Sequence, residues 1–172
     1  DPLPGKFSAT VNILDYLPNV FTNYAQGISG SGIDYDPFTN SLIVSVNGDT
    51  GNPFNFEQIH SNGAMNRWSA ASNILKEVNL AVVKTNANGF TQGTMYCANS
   101  SGGLDRISAD GLTWTHNWVG LTNIINPEWH FGLCFDQTGN FGNNLIAVGE
   151  DGSVWTVTAA GASNRLATIA AG

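Results

Sequence analysis

The chain repeats itself with a period close to fifty residues. Glu77-Val78-Asn79-Leu80-Ala81-Val82 falls on Glu128-Trp129-His130-Phe131-Gly132-Leu133 at an offset of 51. The same offset brings Phe90 onto Phe141 and Thr94–Cys97 onto Leu145–Val148, while Leu104–Gly111 falls on Val154–Gly161 at 50. An earlier copy starts at Gly32-Ile33-Asp34-Tyr35-Asp36, matches Gly132-Leu133-Cys134-Phe135-Asp136 at an offset of 100, and continues through Phe56–Gly63. Such a period constrains the fold more than composition does, because each copy must be one supersecondary unit that buries its faces against its neighbours.

Within each copy the segments are short, β-branched or aromatic, and bounded by Gly, Asn and Asp: Leu42–Val46, Thr94–Ala98, Leu145–Val148 and Val154–Thr158 read as strands. Fourth strands are expected at Met65–Ser69, Thr113–Val119 and Asn164–Ile169, each after a Gly turn. Helical periodicity is nearly absent. Four antiparallel strands per repeat predict an all-β chain of β-propeller blades. The expected divisions are 1–26 for a leading strand and linker, 27–75 for blade 1, 76–125 for blade 2 and 126–172 for blade 3. The leading strand is Lys6–Leu14, which resembles the fourth strand of a blade. Closed rings need about four to eight blades. Three blades plus a surplus strand therefore predict a partial propeller, completed by remaining blades or by another chain.

Composition narrows the partners. Six Lys+Arg against 13 Asp+Glu give a net charge of −7, which excludes nucleic acid because phosphate binding needs clustered cations. No run approaches the roughly 18 apolar residues of a membrane helix, so no membrane insertion is expected. Only 11% of the residues are charged, and Asn, Thr, Ser and Gly carry the polar surface. That texture predicts a secreted or cell-surface protein whose signal peptide has already been removed.

The stretch Thr138–Val148, followed by Gly152–Val157, resembles a blade of secreted bacterial six-bladed propeller proteins of unassigned function, distantly similar to NHL-repeat and gluconolactonase-like propellers. Glu77–Val83, Ile107–Gly111 and Thr113–Trp118 resemble the preceding blade of the same group, so the likeness runs from about Gly32 to Ile169. It implies an exported propeller of which this chain corresponds to the N-terminal half, and it implies no particular activity. The Asn-rich loops and the Cys97/Cys134 pair depart from the group.

Propeller ligands gather where the innermost strands begin, at the channel mouth. Glu77 and Glu128 align there, with Asn79 and His130 two residues later on the same strand face. Two carboxylates, an amide and an imidazole converging on an axis suit a hard cation, so Glu77 and Glu128 are the candidate Ca²⁺ or Mg²⁺ ligands, although no cofactor is required by the fold. In gluconolactonase-like propellers acidic and amide residues play this part. The bland alternative stays open: the two Glu as solvated residues at the start of a strand, and His130 as a structural histidine. Asp34, Asp36 and Asp136 read as turn formers, His60 and His116 as surface or interblade residues, and Trp68, Trp114, Trp118, Trp129 and Trp155 as interblade packing. Cys97 and Cys134 fall in neighbouring blades and are a candidate cross-blade disulfide, with two free thiols as the alternative.

No nucleophile elbow, zinc-protease helix or phosphate loop occurs. The leading expectation is a non-catalytic extracellular scaffold that binds protein or glycan or assembles with like subunits. The rivals are a metal-dependent hydrolase or lyase working at the channel through Glu77, Glu128 and His130, and a structural filament or surface-layer subunit.

Overall fold

The computed structural model describes residues 30–46, 56–69, 78–99, 102–121, 132–149 and 151–169. These form three four-stranded antiparallel sheets, with sequential strands paired side by side and no helix among the described residues. Blade 1 comprises β1 (Gly30–Asp36), β2 (Ser41–Val46), β3 (Phe56–His60) and β4 (Met65–Arg67). Blade 2 comprises β5 (Leu80–Val82), β6 (Met95–Ala98), β7 (Gly103–Ile107) and β8 (Trp114–Gly120). Blade 3 comprises β9 (Gly132–Phe135), β10 (Leu145–Val148), β11 (Ser153–Val157) and β12 (Ser163–Thr168). The first strands β1, β5 and β9 run past one another at the inner edge. This is a three-blade partial β-propeller. The expected leading strand at Lys6–Leu14 lies outside the described residues.

Strand alternation decides which side chains meet. Side chains along a strand point to opposite faces in turn, and here both faces of blade 2 are apolar. Leu80, Val82, Met95, Cys97 and Ile107 pack against Ile43, Phe56 and Trp68 of blade 1. The intervening residues Ala81, Tyr96, Ala98 and Leu104 pack against Phe135, Leu145, Ala147 and Val157 of blade 3. Trp68 and Trp114 flank the first interface, and Trp118 and Trp155 the second, so these four tryptophans are interblade residues. Trp129 lies outside the described residues.

The ladders also correct the repeat alignment. Leu80, Ala81 and Val82 pair with Cys97, Tyr96 and Met95, whereas Leu133, Cys134 and Phe135 pair with Ala147, Ile146 and Leu145. Inner strands are therefore offset by 53 residues and second strands by 50, not by a uniform 51. The difference resides in the connection between first and second strands, which spans residues 83–94 in blade 2 and 136–144 in blade 3. The longer connection folds back on itself through an Ala87–Phe90 bridge. Phe90 accordingly sinks into the core at 3% exposure, while Phe141, its apparent counterpart, stands 51% exposed. Third strands keep the offset of 50 read from the sequence: Ile107 and Val157 occupy the same ladder position.

Turns are set by carboxylates. Asp36 accepts from the Phe38 amide at 2.9 Å and the Thr39 hydroxyl at 2.5 Å. Asp136 accepts from the amides of Thr138, Gly139, Phe141 and Asn143 and from the Thr138 hydroxyl. Desolvation opposes ionisation of Asp136, but these donors outweigh it and hold its pKa down at about 2. Asp34 departs from the turn-forming expectation. It reaches into blade 2, accepting from the Val82 amide at 2.7 Å and from the Lys84 ammonium, which also meets the Tyr35 carbonyl. The Val82 amide at the inner edge of β5 is thereby capped by blade 1 instead of being left for an intruding strand. A second crossing joins the Val78 amide to the Ser45 hydroxyl at 2.7 Å.

Two glycines permit the blades to close on each other. A Cβ on Gly111, whose φ is +72°, would lie 2.4 Å from the Trp68 carbonyl oxygen. A Cβ on Gly32 would lie 2.3 Å from the Val78 carbonyl oxygen. Backbone is the obstacle at both places, so neither can yield by a rotamer change. Gly32→Ala is expected to destabilise the chain by about 2 kcal/mol in urea unfolding, as an overpacked contact does. Gly120→Ala, where nothing lies within 4 Å, is the control and should change stability by less than roughly 0.5 kcal/mol. Equal effects of the two substitutions would contradict the close approach at Gly32.

Candidate functional site

Glu77, Glu128 and His130 lie outside the described residues, and so does the proposed pairing of the two Glu around a cation. Asn79 is described: it is half-buried just before β5, beside Gly32 of blade 1. Extending the observed ladders by one residue makes Gly132 its counterpart in blade 3, rather than His130. Among the described residues no group of three or more His, Cys, Asp or Glu is arranged to hold a metal ion. The ionic feature at the inner edge is the Asp34–Lys84 pair, with the Lys84 ammonium also 5.9 Å from the Tyr35 ring centroid.

Cys97 and Cys134 are free thiols, not a disulfide. Alternation explains why. Cys97 projects from blade 2 into the interface with blade 1, away from blade 3. Cys134 lies between Leu133 and Phe135, which face blade 2, so it points from the far side of blade 3 and is exposed. Burial, with Asp105 adding to it, pushes the Cys97 thiol well above its ordinary pKa. The Cys134 thiol is raised too, by desolvation and then by Asp136 and Asp34. Neither is an activated thiolate.

A buried polar constellation that draws in three aromatic and amide side chains is centred on Asp105, for which the sequence carries no motif. Its carboxylate is fully buried in β7 and accepts four hydrogen bonds. Asn99 Nδ2 donates at 2.7 Å, Trp114 Nε1 at 2.8 Å and the Asn117 amide at 2.8 Å, while His116 Nδ1 lies 2.8 Å away. A bulge makes this room: the β7–β8 register shifts between Leu104 and Arg106, and Asn117 adopts φ +52° opposite. The His116 ring stacks on Trp114 with centroids 5.3 Å apart. Trp114 in turn packs 5.8 Å from Phe56 of blade 1. His116 is thus oriented by a carboxylate, as in an acid–base dyad, yet among the described residues no hydroxyl or thiol hydrogen-bonds the ring to complete a triad. The constellation ties β8 to β7 and holds Trp114 against blade 1. It also engages Asn99, whose Asn-Ser-Ser pattern resembles a glycosylation acceptor but whose side-chain amide is buried on Asp105.

His60 belongs to a comparable chain across blade 1. Its Nε2 lies 2.7 Å from Asn66 Oδ1, Asn66 donates to Gln58, and Gln58 donates to Ser41. Between blades 2 and 3 there is a cavity of about 290 Å³, walled on blade 2 by the cross-strand row Tyr96–Arg106–Thr115 and touched by Ala159 of blade 3.

No protein-family model matches the chain, and no curated protein sequence matches it. Its fold does have solved counterparts. A catalytically inactive virginiamycin B lyase from Staphylococcus aureus, with quinupristin, superposes with a TM-score of 0.54 at 13% identity, over 80% of this chain and 40% of that one. A protein of unknown function from Bacteroides thetaiotaomicron gives a TM-score of 0.59 at 12% identity, over 81% of this chain and 33% of that one. The chain spans less than half the length of either. Identities this low establish the propeller-like fold alone.

Removing the carboxylate at Asp105 leaves its donors facing a buried void. Asp105→Ala is expected to cost about 3 kcal/mol of unfolding free energy in urea, with a change in tryptophan fluorescence from Trp114. Asp105→Asn, which keeps one acceptor oxygen, should cost less. A loss below roughly 0.5 kcal/mol for the alanine variant would contradict the structural role assigned to the cluster.

Proposed function

We propose that this chain is a non-catalytic propeller scaffold of the extracellular space, whose two outermost blade faces take further blades, and whose work is binding and self-assembly. One observation carries the reading. Inner-strand positions that are buried in blades 2 and 3 by the preceding blade, at Leu80 (5% exposed) and Phe135 (6%), are open at the corresponding Ile33 (60%) and Tyr35 (44%) of blade 1. The opposite end is open in the same sense: Cys134 is exposed and Ile146, Val148 and Val154 are half-buried on the outward face of blade 3. On the same face of blade 1 Val44, Val46 and Ile59 are buried in a small cluster of their own, so the opening is confined to the inner strand; partly open apolar surface of this kind is what a further blade would cover. The sparse Lys and Arg and the Asn-, Thr- and Ser-rich surface support the exported setting.

At tens of micromolar the 172-residue chain is expected to sediment as dimers or larger species in analytical ultracentrifugation. Ile33→Glu combined with Ile146→Glu should return it to a monomer with an unchanged circular dichroism spectrum. A wild-type chain that stays monomeric and monodisperse at that concentration would overturn the assembly reading.

A further inference from the structure

We propose that the cavity between blades 2 and 3 is a binding site for a small hydroxylated carboxylate, anchored by Arg106. Arg106 stands in the middle of the blade 2 wall, flanked in the ladder by Tyr96 and Thr115. Its guanidinium carbon lies over the Trp118 ring, 5.8 Å from the centroid, a cation–π contact that helps hold the side chain in place. The other described cations have an acidic neighbour: Lys84 is paired with Asp34, Arg67 acts on Glu57 and Arg165 on Asp151. Among the described residues no carboxylate lies within 4.0 Å of Arg106. Asp110, close by in sequence, is committed to its own turn, where it accepts from the Ser108 hydroxyl and the Leu112 amide.

The rest of the lining offers what a hydroxylated ligand needs. Thr94, Tyr96, Thr113 and Thr115 line the cavity, and their hydroxyls have no hydrogen-bond partner among the described residues. Desolvation pushes the Tyr96 phenol up to about 12 despite the counteracting charge of Arg106, so it stays protonated and able to donate. A half-buried guanidinium presents a planar fork that a carboxylate matches with two parallel hydrogen bonds. The volume, about 290 Å³, is at the small end of ligand sites and suits a molecule of monosaccharide size. The cavity is lined by neither Ile33 nor Ile146, so it is separate from the faces on which assembly is proposed.

Three probes divide the chemistry: glucuronate, glucose and inorganic phosphate. Titrated into the wild-type chain and followed through the ¹⁵N resonance of the Arg106 side chain, glucuronate is expected to shift the signal saturably, and glucose is expected not to. Phosphate should bind at least tenfold more weakly, since it fills the fork without reaching the hydroxyls. Arg106→Gln should weaken glucuronate at least tenfold, and Arg165→Gln should leave it unchanged. No saturable shift with glucuronate, equal binding of glucose, or phosphate binding as tightly as glucuronate would each overturn the assignment. The wild-type titration decides the matter even if Arg106→Gln fails to fold.

Discussion

Everything in this molecule depends on blade-to-blade burial of apolar sheet faces. A four-stranded sheet of this size cannot bury both its faces by itself, so each blade is stable only as far as its neighbours cover it. Blade 2 meets the condition twice: its alternate residues enter two separate cores, one with Ile43 and Phe56, the other with Phe135 and Leu145. The polar groups serve the same end. Asp34 caps the inner edge of β5, Ser45 holds the Val78 amide, and Asp105 fixes Trp114 where it can lean on Phe56. Charged and polar side chains thereby register one blade on the next, while the apolar ones supply the driving force.

The same constraint makes sense of the features with functional weight. Inner-strand positions that are buried in the middle of the stack, at Leu80 and Phe135, are exposed at Ile33 and Tyr35 of blade 1, and the proposed binding and assembly are built on that contrast. The cavity beside Arg106 has a related origin. Where Ala159 approaches the row Tyr96–Arg106–Thr115, small residues and a long cation meet instead of two matched apolar layers, and space remains. Catalysis at the channel, as in the hydrolase or lyase alternative, would rest on Glu77, Glu128 and His130.

Much of the architecture is legible in the residues. The fifty-residue period, the alternating β-branched segments and the Gly turns at Gly111 and Gly161 place the starts of the second, third and fourth strands within one or two positions, whereas β5 and β9 begin three and four residues after Glu77 and Glu128. The interblade tryptophans are legible too, but the specific polar pairings of one blade with another are not. Asp34 has the local look of a turn residue, yet its partners are Val82 and Lys84, some fifty residues on. Cys97 and Cys134 fall in adjacent blades, but the parity of their strands turns them away from each other. Asp105 carries no motif, because its four donors are assembled by a bulge and a left-handed Asn117 that no periodic pattern announces. The slip at Phe90 arose because one uniform offset averages over a connection whose length differs between blades.

The account makes coverage by neighbouring blades the source of stability, and native-state hydrogen exchange tests it most directly. The comparison is between β6 (Met95–Ala98), covered on both faces, and β10 (Leu145–Val148), the equivalent strand of a blade with one face open. At dilution where the chain is monomeric, β6 amides are predicted to exchange only through global unfolding, and β10 amides through a smaller opening at least tenfold more frequent. Equal protection of the two strands, or stronger protection of β10, would contradict the claim that blade stacking holds this fold together.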